Sequence, residues 1–400
     1  MMTILGRLVS VVPALVIWVA SPFWKFRIGY FFADRIGHFA FDVEYYLSLV
    51  ELEGKTRRSS DLFFFKGTIC NTQLAKMVRR EVIVVDCLSH VHWVLSRLPW
   101  SDHLLLRPNR MIDSSRDKAA VLARTSAHLN FTDDEKARAQ TELAKLGLIR
   151  GHPFVCLIVR ESAYLDYAYP GKDWGYHDFR DCDISRYKSA SSLLTKQGYF
   201  VIRMGKTVIQ SFSFDSNSKI IDYAKSEFRS DLLDIWLMAN CEFSVSSGTG
   251  LDSVSDIFRR PVVYANYDVF PLVVTWANSI TVPKKLVWKS SGNQLSIEEY
   301  CLHSYAHSDL YDEAGISVIE MEPEEIVLVV QEMLDRLQGR IRSRADIELQ
   351  EMFWSIFQGQ DYFSKQHGVR HNLATIGSNF LKDSAVELFR TEKKSGQTLF

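Results

Sequence analysis

The sequence predicts an α/β protein made of two doubly wound domains facing a cleft, on three observations. Short runs of Val, Ile, Leu and Phe alternate with stretches of helical spacing along most of the chain, as parallel strands buried on both faces and their crossover helices do. The alternation restarts after a break at Gly147 to Pro153, which divides the 400 residues into two halves of ordinary domain size. Third, Val245-Ser-Ser-Gly-Thr-Gly-Leu-Asp-Ser-Val254 joins an apolar run to a helical one. Small residues at such a strand-to-helix turn leave N–H groups open at a helix start, where the dipole favours a phosphate or another anion.

The elements follow in order. From Leu8 to Trp24 no residue is charged, and Arg7, Lys25 and Arg27 bracket the run. A spanning helix needs roughly 17 to 25 residues, so this run is near the minimum. Pro13 and Pro22 interrupt it, while Trp18, Phe23 and Trp24 suit the headgroup region. A monotopic or re-entrant membrane anchor is the leading expectation; a true span or uncleaved signal and a buried core helix are the alternatives. Ala20-Ser-Pro22 is a poor cleavage site because proline follows it.

Ile28 to Ala33 reads as a strand, Gly37-His38 as a short turn and Val43 to Val50 as a helix. Leu62–Phe65, Val82–Val85 and Leu104–Leu106 continue the first sheet. Thr132 with Glu135 makes a capping box for a helix through about Leu146. In the second half Phe154–Val159, Tyr199–Arg203, Phe243–Ser246 and Pro261–Asn266 read as strands, with helices over Asp183–Lys196 and Asp231–Asn240. Pro323-Glu-Glu325 opens a later helix, and Ala345 to Gln358 forms another. The expected boundaries are a membrane-associating segment at 1–27, α/β domains at 28–150 and 151–338, and a helical extension at 339–400.

Composition excludes some partners. The net charge is −1 with acids and bases interspersed, so no polyanion-binding face is expected and nucleic acid is not a predicted partner. The six cysteines lack CxxC spacing and read as reduced residues of a cytosolic protein. Two Rossmann-like halves with a cleft suit an enzyme that holds a nucleotide on one domain and a second substrate on the other.

Six segments, in this order, carry a resemblance: Arg35-Ile-Gly-His38, Val159-Arg-Glu-Ser-Ala-Tyr164, His177-Asp-Phe-Arg-Asp-Cys-Asp-Ile184, Gly198-Tyr-Phe-Val-Ile-Arg-Met-Gly205, Ser230-Asp-Leu-Leu-Asp234 and Ser246-Ser-Gly-Thr-Gly-Leu251. Together they resemble a family of bacterial glycosyltransferases of surface polysaccharide or glycoconjugate assembly, over about residues 30 to 380. The resemblance implies the two-Rossmann-domain glycosyltransferase B (GT-B) fold, with an acceptor domain at 28–150 and a nucleotide-sugar domain at 151–338. It also implies a nucleotide-sugar co-substrate with no other cofactor and no obligatory metal, and a lipid-linked glycan, polysaccharide or related acceptor. The enzyme would sit peripherally or monotopically on the cytoplasmic face of the inner (plasma) membrane. Another nucleotide-sugar enzyme on a similar fold, or a non-catalytic glycan-binding or assembly protein, is the alternative.

Departure of a nucleoside diphosphate needs fixed donors or cations where charge grows on the phosphate. Ser246, Ser247, Gly248, Thr249 and Gly250 offer N–H and hydroxyl groups, while Arg160 and Arg203 stand at strand ends. Arginines are ranked above the nearby Lys206 because a guanidinium grips two oxygens at once. In loosely similar fucosyltransferase-like enzymes an arginine at the place of Arg160 contacts the diphosphate. A surface or interdomain ion pair is the bland alternative for both arginines. For the acceptor proton, the resemblance points to His38 as base or acceptor-binding residue, with Asp42 one turn on to orient it. A helix-capping histidine is the other reading, and Glu161 and Asp181 are reserve bases.

Arg180, Asp181 and Asp231 are further substrate-binding candidates. Asp181-Cys-Asp183 has DxD spacing but reads better as a helix start than as a metal site. Tyr164 to Trp174 reads as a flap or a packed surface loop. Glu324/Glu332, His90/His92 and His303/His307 are set aside as a solvated face and ordinary histidines.

Overall fold

A computed structural model describes residues 9–23, 25–54, 59–106, 116–148, 151–163, 171, 173–212, 219–268 and 270–390. In chain order its first elements are α1 (Val11–Ala20), β1 (Lys25–Phe32), α2 (Ile36–Glu53), β2 (Ser59–Lys66), α3 (Thr72–Glu81), β3 (Ile83–Val84), α4 (Leu88–Leu95) and α5 (Asp133–Lys145). Then come β4 (Phe154–Ile158), α6 (Lys188–Lys196), β5 (Phe200–Arg203), β6 (Ile220–Ile221), α7 (Asp231–Asn240), β7 (Phe243–Ser246), α8 (Asp252–Ile257) and β8 (Val262–Tyr267). The chain continues with β9 (Ser279–Pro283), β10 (Lys285–Trp288), α9 (Ile297–Leu302), α10 (Ser308–Glu313), β11 (Ile316–Ile319) and α11 (Pro323–Leu337). It ends with α12 (Arg344–Gln358), α13 (Asp361–Gln366), β12 (Ala374–Ile376) and α14 (Ser378–Leu388).

Two packing units result. The first joins Met1–Gly147 with Ser230–Asn240 and Gly250–Arg260, and the second takes the remainder. The long first segment of unit one ends at Gly147, and α7 and α8 cluster with it. Their side chains explain it. The Asp231 carboxylate accepts from Thr72 N and Thr72 Oγ1, both at 2.7 Å, at the start of α3. The Trp236 ring meets Phe131 edge-on at 4.8 Å, and Phe258 stacks on the same Phe131 at 5.9 Å.

In the first unit β1 pairs with β2 in parallel over eight residues, Lys25↔Ser59 through Phe32↔Lys66, and β2 pairs with β3. A parallel bridge between Ile28 and Leu105 extends the sheet on the other side of β1. Gly29 permits that neighbour: a Cβ there would stand 3.0 Å from Leu106 O and from the Phe63 ring. Helix α2 buries residues around most of its circumference, as the apolar Phe39-Ala-Phe41 and Val43 demand. The turn expected at Gly37-His38 is already the first turn of α2.

The second unit holds a seven-stranded sheet in the order β12-β9-β8-β7-β4-β5-β6, with every pair parallel. Strands β4, β5, β7 and β9 are buried throughout; β4 is a continuous apolar run, as burial on both faces allows, whereas β7 and β9 bury serines and a threonine as well. Helix α11 starts with Pro323 inside a Glu322/Glu325 capping box and buries Ile326, Val329, Val330 and Met333, an i, i+3, i+4, i+7 stripe. The tail is not purely helical: β12 adds the edge strand beside β9, in register Ala374↔Ser279. Among the described residues no helix is long and apolar enough to cross a membrane.

Candidate functional site

In a doubly wound sheet the ligand binds at the carboxyl ends of the strands where the strand order reverses. In the second unit the order runs outward as β4-β5-β6 on one side and β7-β8-β9-β12 on the other, so the reversal lies between β4 and β7. The residues that leave those two strands are Arg160 and the turn Ser246–Thr249.

The turn is tightly built. Ser247 N donates to Ile158 O at 3.0 Å, Arg160 N donates to Ser247 Oγ at 2.8 Å, and Gly248 N donates to Ser246 Oγ at 3.0 Å. Gly248 has φ +90°, and a Cβ there would stand 2.9 Å from the Tyr267 ring, so only glycine fits. Ser246 and Ser247 are buried, and their hydroxyls are bonded within the turn.

Two arginines converge beside it. Arg160 Nε lies 3.2 Å from Asp181 Oδ1, and Arg180 Nε lies 2.9 Å from Asp268 Oδ2. Lys284 Nζ donates to Phe179 O at 2.8 Å and to Asp181 O at 2.5 Å, fixing the segment that carries Arg180. Burial leads the electrostatics here, and the two guanidiniums also act on each other. Burial and then the Arg180 guanidinium lower the pKa of Arg160, and burial, Arg180 and Arg160 push His177 down to about 4. A cation destabilised by burial and by a second cation gains most from an anionic ligand.

Arg203 behaves differently. It is fully buried, with Nη2 at 2.6 Å from Glu161 Oε1 and Nη1 at 3.5 Å from Asp222 Oδ1. Both carboxylates also anchor the loop after β5, since Glu161 Oε2 accepts from Ile209 N and Asp222 Oδ2 from Phe212 N. Arg203 and Glu161 thus hold that loop together. Asp183 accepts from Ser185 N at 2.9 Å and from its hydroxyl, as a helix start requires. Among the described residues no group of three or more His, Cys, Asp or Glu side chains is placed to hold a metal ion. The expected flap at Tyr164 to Trp174 lies mostly outside the described residues.

The first unit has its own reversal, at β1 between β2 and the Leu105 bridge. There Gly37 and Gly250 meet backbone to backbone: a Cβ on Gly37 would stand 2.9 Å from Gly250 Cα, and one on Gly250 would stand 3.1 Å from Gly37 N. His38 Nδ1 lies 3.9 Å from Asp42 Oδ2, too long for a hydrogen bond, at i, i+4 spacing on α2. Burial and then Arg35 lower the pKa of His38. A neutral imidazole at pH 7 is the form that accepts a proton.

Asp231 is held by the start of α3, and the Ser230 hydroxyl donates to Glu142 at 2.6 Å and accepts from Leu233 N as an N-cap. Sequence reasoning does not single out Asp34, Lys284 or Asp268. Asp34 Oδ1 is buried without a hydrogen-bond partner among the described residues, at the carboxyl end of β1. Its signal is position alone, since it follows the apolar run by one residue.

No protein-family model matches the chain, and no curated protein matches it in sequence. Among solved structures it is similar to a family 9 glycosyl transferase from Veillonella parvula, at 11% identity and a TM-score of 0.45, over 78% of this chain and 98% of that one. It is also similar to the ADP-heptose lipopolysaccharide heptosyltransferase II of E. coli, at 12% identity and a TM-score of 0.43, over 79% and 100% of the two chains. Likeness of this degree carries no inference about reaction or substrate.

Proposed function

We propose that this chain is a glycosyltransferase that takes a sugar from a nucleotide-sugar donor and transfers it to a glycan, lipid-linked or related acceptor. One observation carries the reading: the Arg160/Arg180 pair and the Ser246–Thr249 turn share the reversal point of the second unit's parallel sheet, where such sheets bind nucleotides. Arg160 and Arg180 hold the diphosphate and stabilise the charge that grows on it as the glycosidic bond breaks. Ser247 positions Arg160 through the backbone, and Gly248 and Thr249 let the turn approach the ligand closely. On this reading His38 takes the acceptor proton as the hydroxyl attacks, Asp42 steadies the imidazolium that results, and no metal ion or other cofactor takes part.

The test is calorimetric titration of the full chain with ADP, UDP, GDP, CDP and dTDP, followed by the Arg160→Ala variant. At least one diphosphate should bind the wild type, and Arg160→Ala should weaken it about tenfold to a hundredfold, the worth of a charge-assisted contact. His38→Ala should leave that affinity alone and lower turnover by about 10²- to 10⁴-fold. Binding of none of the five, or equal binding by Arg160→Ala, overturns the assignment.

The chain is also proposed to work on a membrane surface, at the cytoplasmic face and without crossing it. Helix α1 packs Ala14, Ile17 and Trp18 against the protein beside α4 and turns Val12, Val16 and Val19 outward, each more than 60% exposed, with Phe23 at 88%. A helix apolar on both faces and flanked in sequence by Arg7 and Lys25 suits the lipid headgroup boundary.

A further inference from the structure

Four aromatic rings beside the arginine pair take no part in the phosphate reading. Tyr176 stacks on His307, with centroids 4.6 Å apart and 25° between planes, and meets His177 at 4.0 Å. Trp174 stacks on Tyr176 and on His177, each at 6.0 Å, with planes 29° and 15° apart.

The cluster is fastened from two distant parts of the chain. Ser308, next to His307, donates to Tyr176 O at 3.1 Å, and its Oγ accepts from Phe179 N at 3.3 Å. Lys284 holds Phe179 O from below. Trp174 is buried, Tyr176 and His177 are half-buried and His307 is exposed, so the rings rise in steps from the interior to an open face. None of the four is part of the large core of this unit.

Its surroundings describe a ligand. Burial first, then Arg180 and Arg160, push the pKa of His177 down to about 4, so its ring is uncharged at neutral pH. Its Nδ1 is shut away from water with no hydrogen-bond partner among the described residues. A surface of aromatic rings next to two guanidiniums offers stacking and phosphate contact side by side. A pyranose would instead seek free carboxylates for its hydroxyls, and here Asp181 and Asp268 are taken up by Arg160 and Arg180.

We propose that Tyr176 and His307, backed by Trp174 and His177, form the stacking surface for the base of the donor nucleotide. This rests on the donor reading above and adds a base subsite to it. Base–aromatic stacking tolerates any base because each has a π-face. The surface therefore supplies affinity for the nucleoside, and the choice among bases is made by other groups.

The experiment titrates the full chain with inorganic pyrophosphate and with the tightest-binding nucleoside diphosphate of the panel. It compares the wild type, the Tyr176→Ala/His307→Ala double variant and Tyr176→Phe, which keeps the ring. Expected is a loss of about tenfold to a hundredfold in nucleoside diphosphate affinity for the double variant. Pyrophosphate affinity should be unchanged, and Tyr176→Phe should match the wild type. Wild-type affinity for the nucleoside diphosphate in the double variant overturns the stacking surface while the donor reading stands. An equal loss of pyrophosphate binding overturns it too, because the rings would then be holding Arg160 and Arg180 in place. A wild type that binds neither ligand removes the donor reading and this subsite with it.

Discussion

At Gly37 the start of α2 comes within van der Waals contact of the Gly250 backbone, and no side chain stands between that can move aside. Gly37→Ala forces a Cβ to 2.9 Å from Gly250 Cα and 3.1 Å from its carbonyl oxygen. Overpacking against fixed backbone costs about 1–3 kcal/mol. Urea unfolding should therefore show a lower midpoint with an unchanged slope; a wild-type midpoint would mean the two segments separate freely. The same scale shows where sequence reasoning ends. Arg160 and Arg203 look equivalent in sequence, each a cation at the end of a buried strand, yet Arg203 is fully enclosed by Glu161 and Asp222 while Arg160 pairs with Asp181 alone among the described residues. Those partners arrive from other turns of the sheet, so no local pattern announces them. The partner of Asp231, Thr72, is likewise 159 residues away.

Elements were more legible than residues. The Thr132/Glu135 capping box opens α5 as its spacing requires, with Glu135 N donating at 3.2 Å and Thr132 N at 2.9 Å. Buried strands of the second sheet appear as apolar runs, and α7 occupies the residues expected of it. The short pieces were illegible: β12 has three residues, β6 has two, and neither carries a period. A pH prediction belongs to this scale, at the contact between α2 and the segment before α5. Glu44, fully buried on α2, lies 3.0 Å from His128 Nδ1 and 2.8 Å from Arg259 Nη2, while Glu51 reaches His128 Nε2 at 2.9 Å. The hydrogen bond to Glu44 raises the pKa of His128 above its ordinary value. A histidine pKa raised by folding adds stability that is complete below about pH 6.5 and is lost as pH rises through the folded value. The melting temperature should fall as pH rises above about 6.5 more steeply in the wild type than in His128→Gln. Parallel profiles would show that the pair does not titrate in this window.

For the whole molecule, the exposed valines of α1 predict association with lipid. The full chain should float with vesicles containing anionic phospholipid, and a Val12→Lys/Val16→Lys/Val19→Lys variant should stay behind with its melting temperature unchanged. Equal flotation of the two, or lipid-free self-association of the wild type that the variant lacks, would count against a membrane surface, the latter favouring a second copy of the chain. Domain membership was the least legible property at this scale. Strand and helix periods say what each segment is, but the side on which α7 and α8 pack is decided by Phe131, Thr72 and the glycine pair, none of which lies nearby in sequence.

That discontinuity bears on synthesis. The first unit draws on residues up to Gly147 and then on two segments ending at Arg260, with parts of the second unit translated between them. A ribosome adding roughly 5–20 residues per second takes on the order of ten seconds to pass from one point to the other. Through that interval the nascent chain displays the apolar faces of α2 and the unfilled side of Phe131, and slower synthesis between the two points lengthens that exposure.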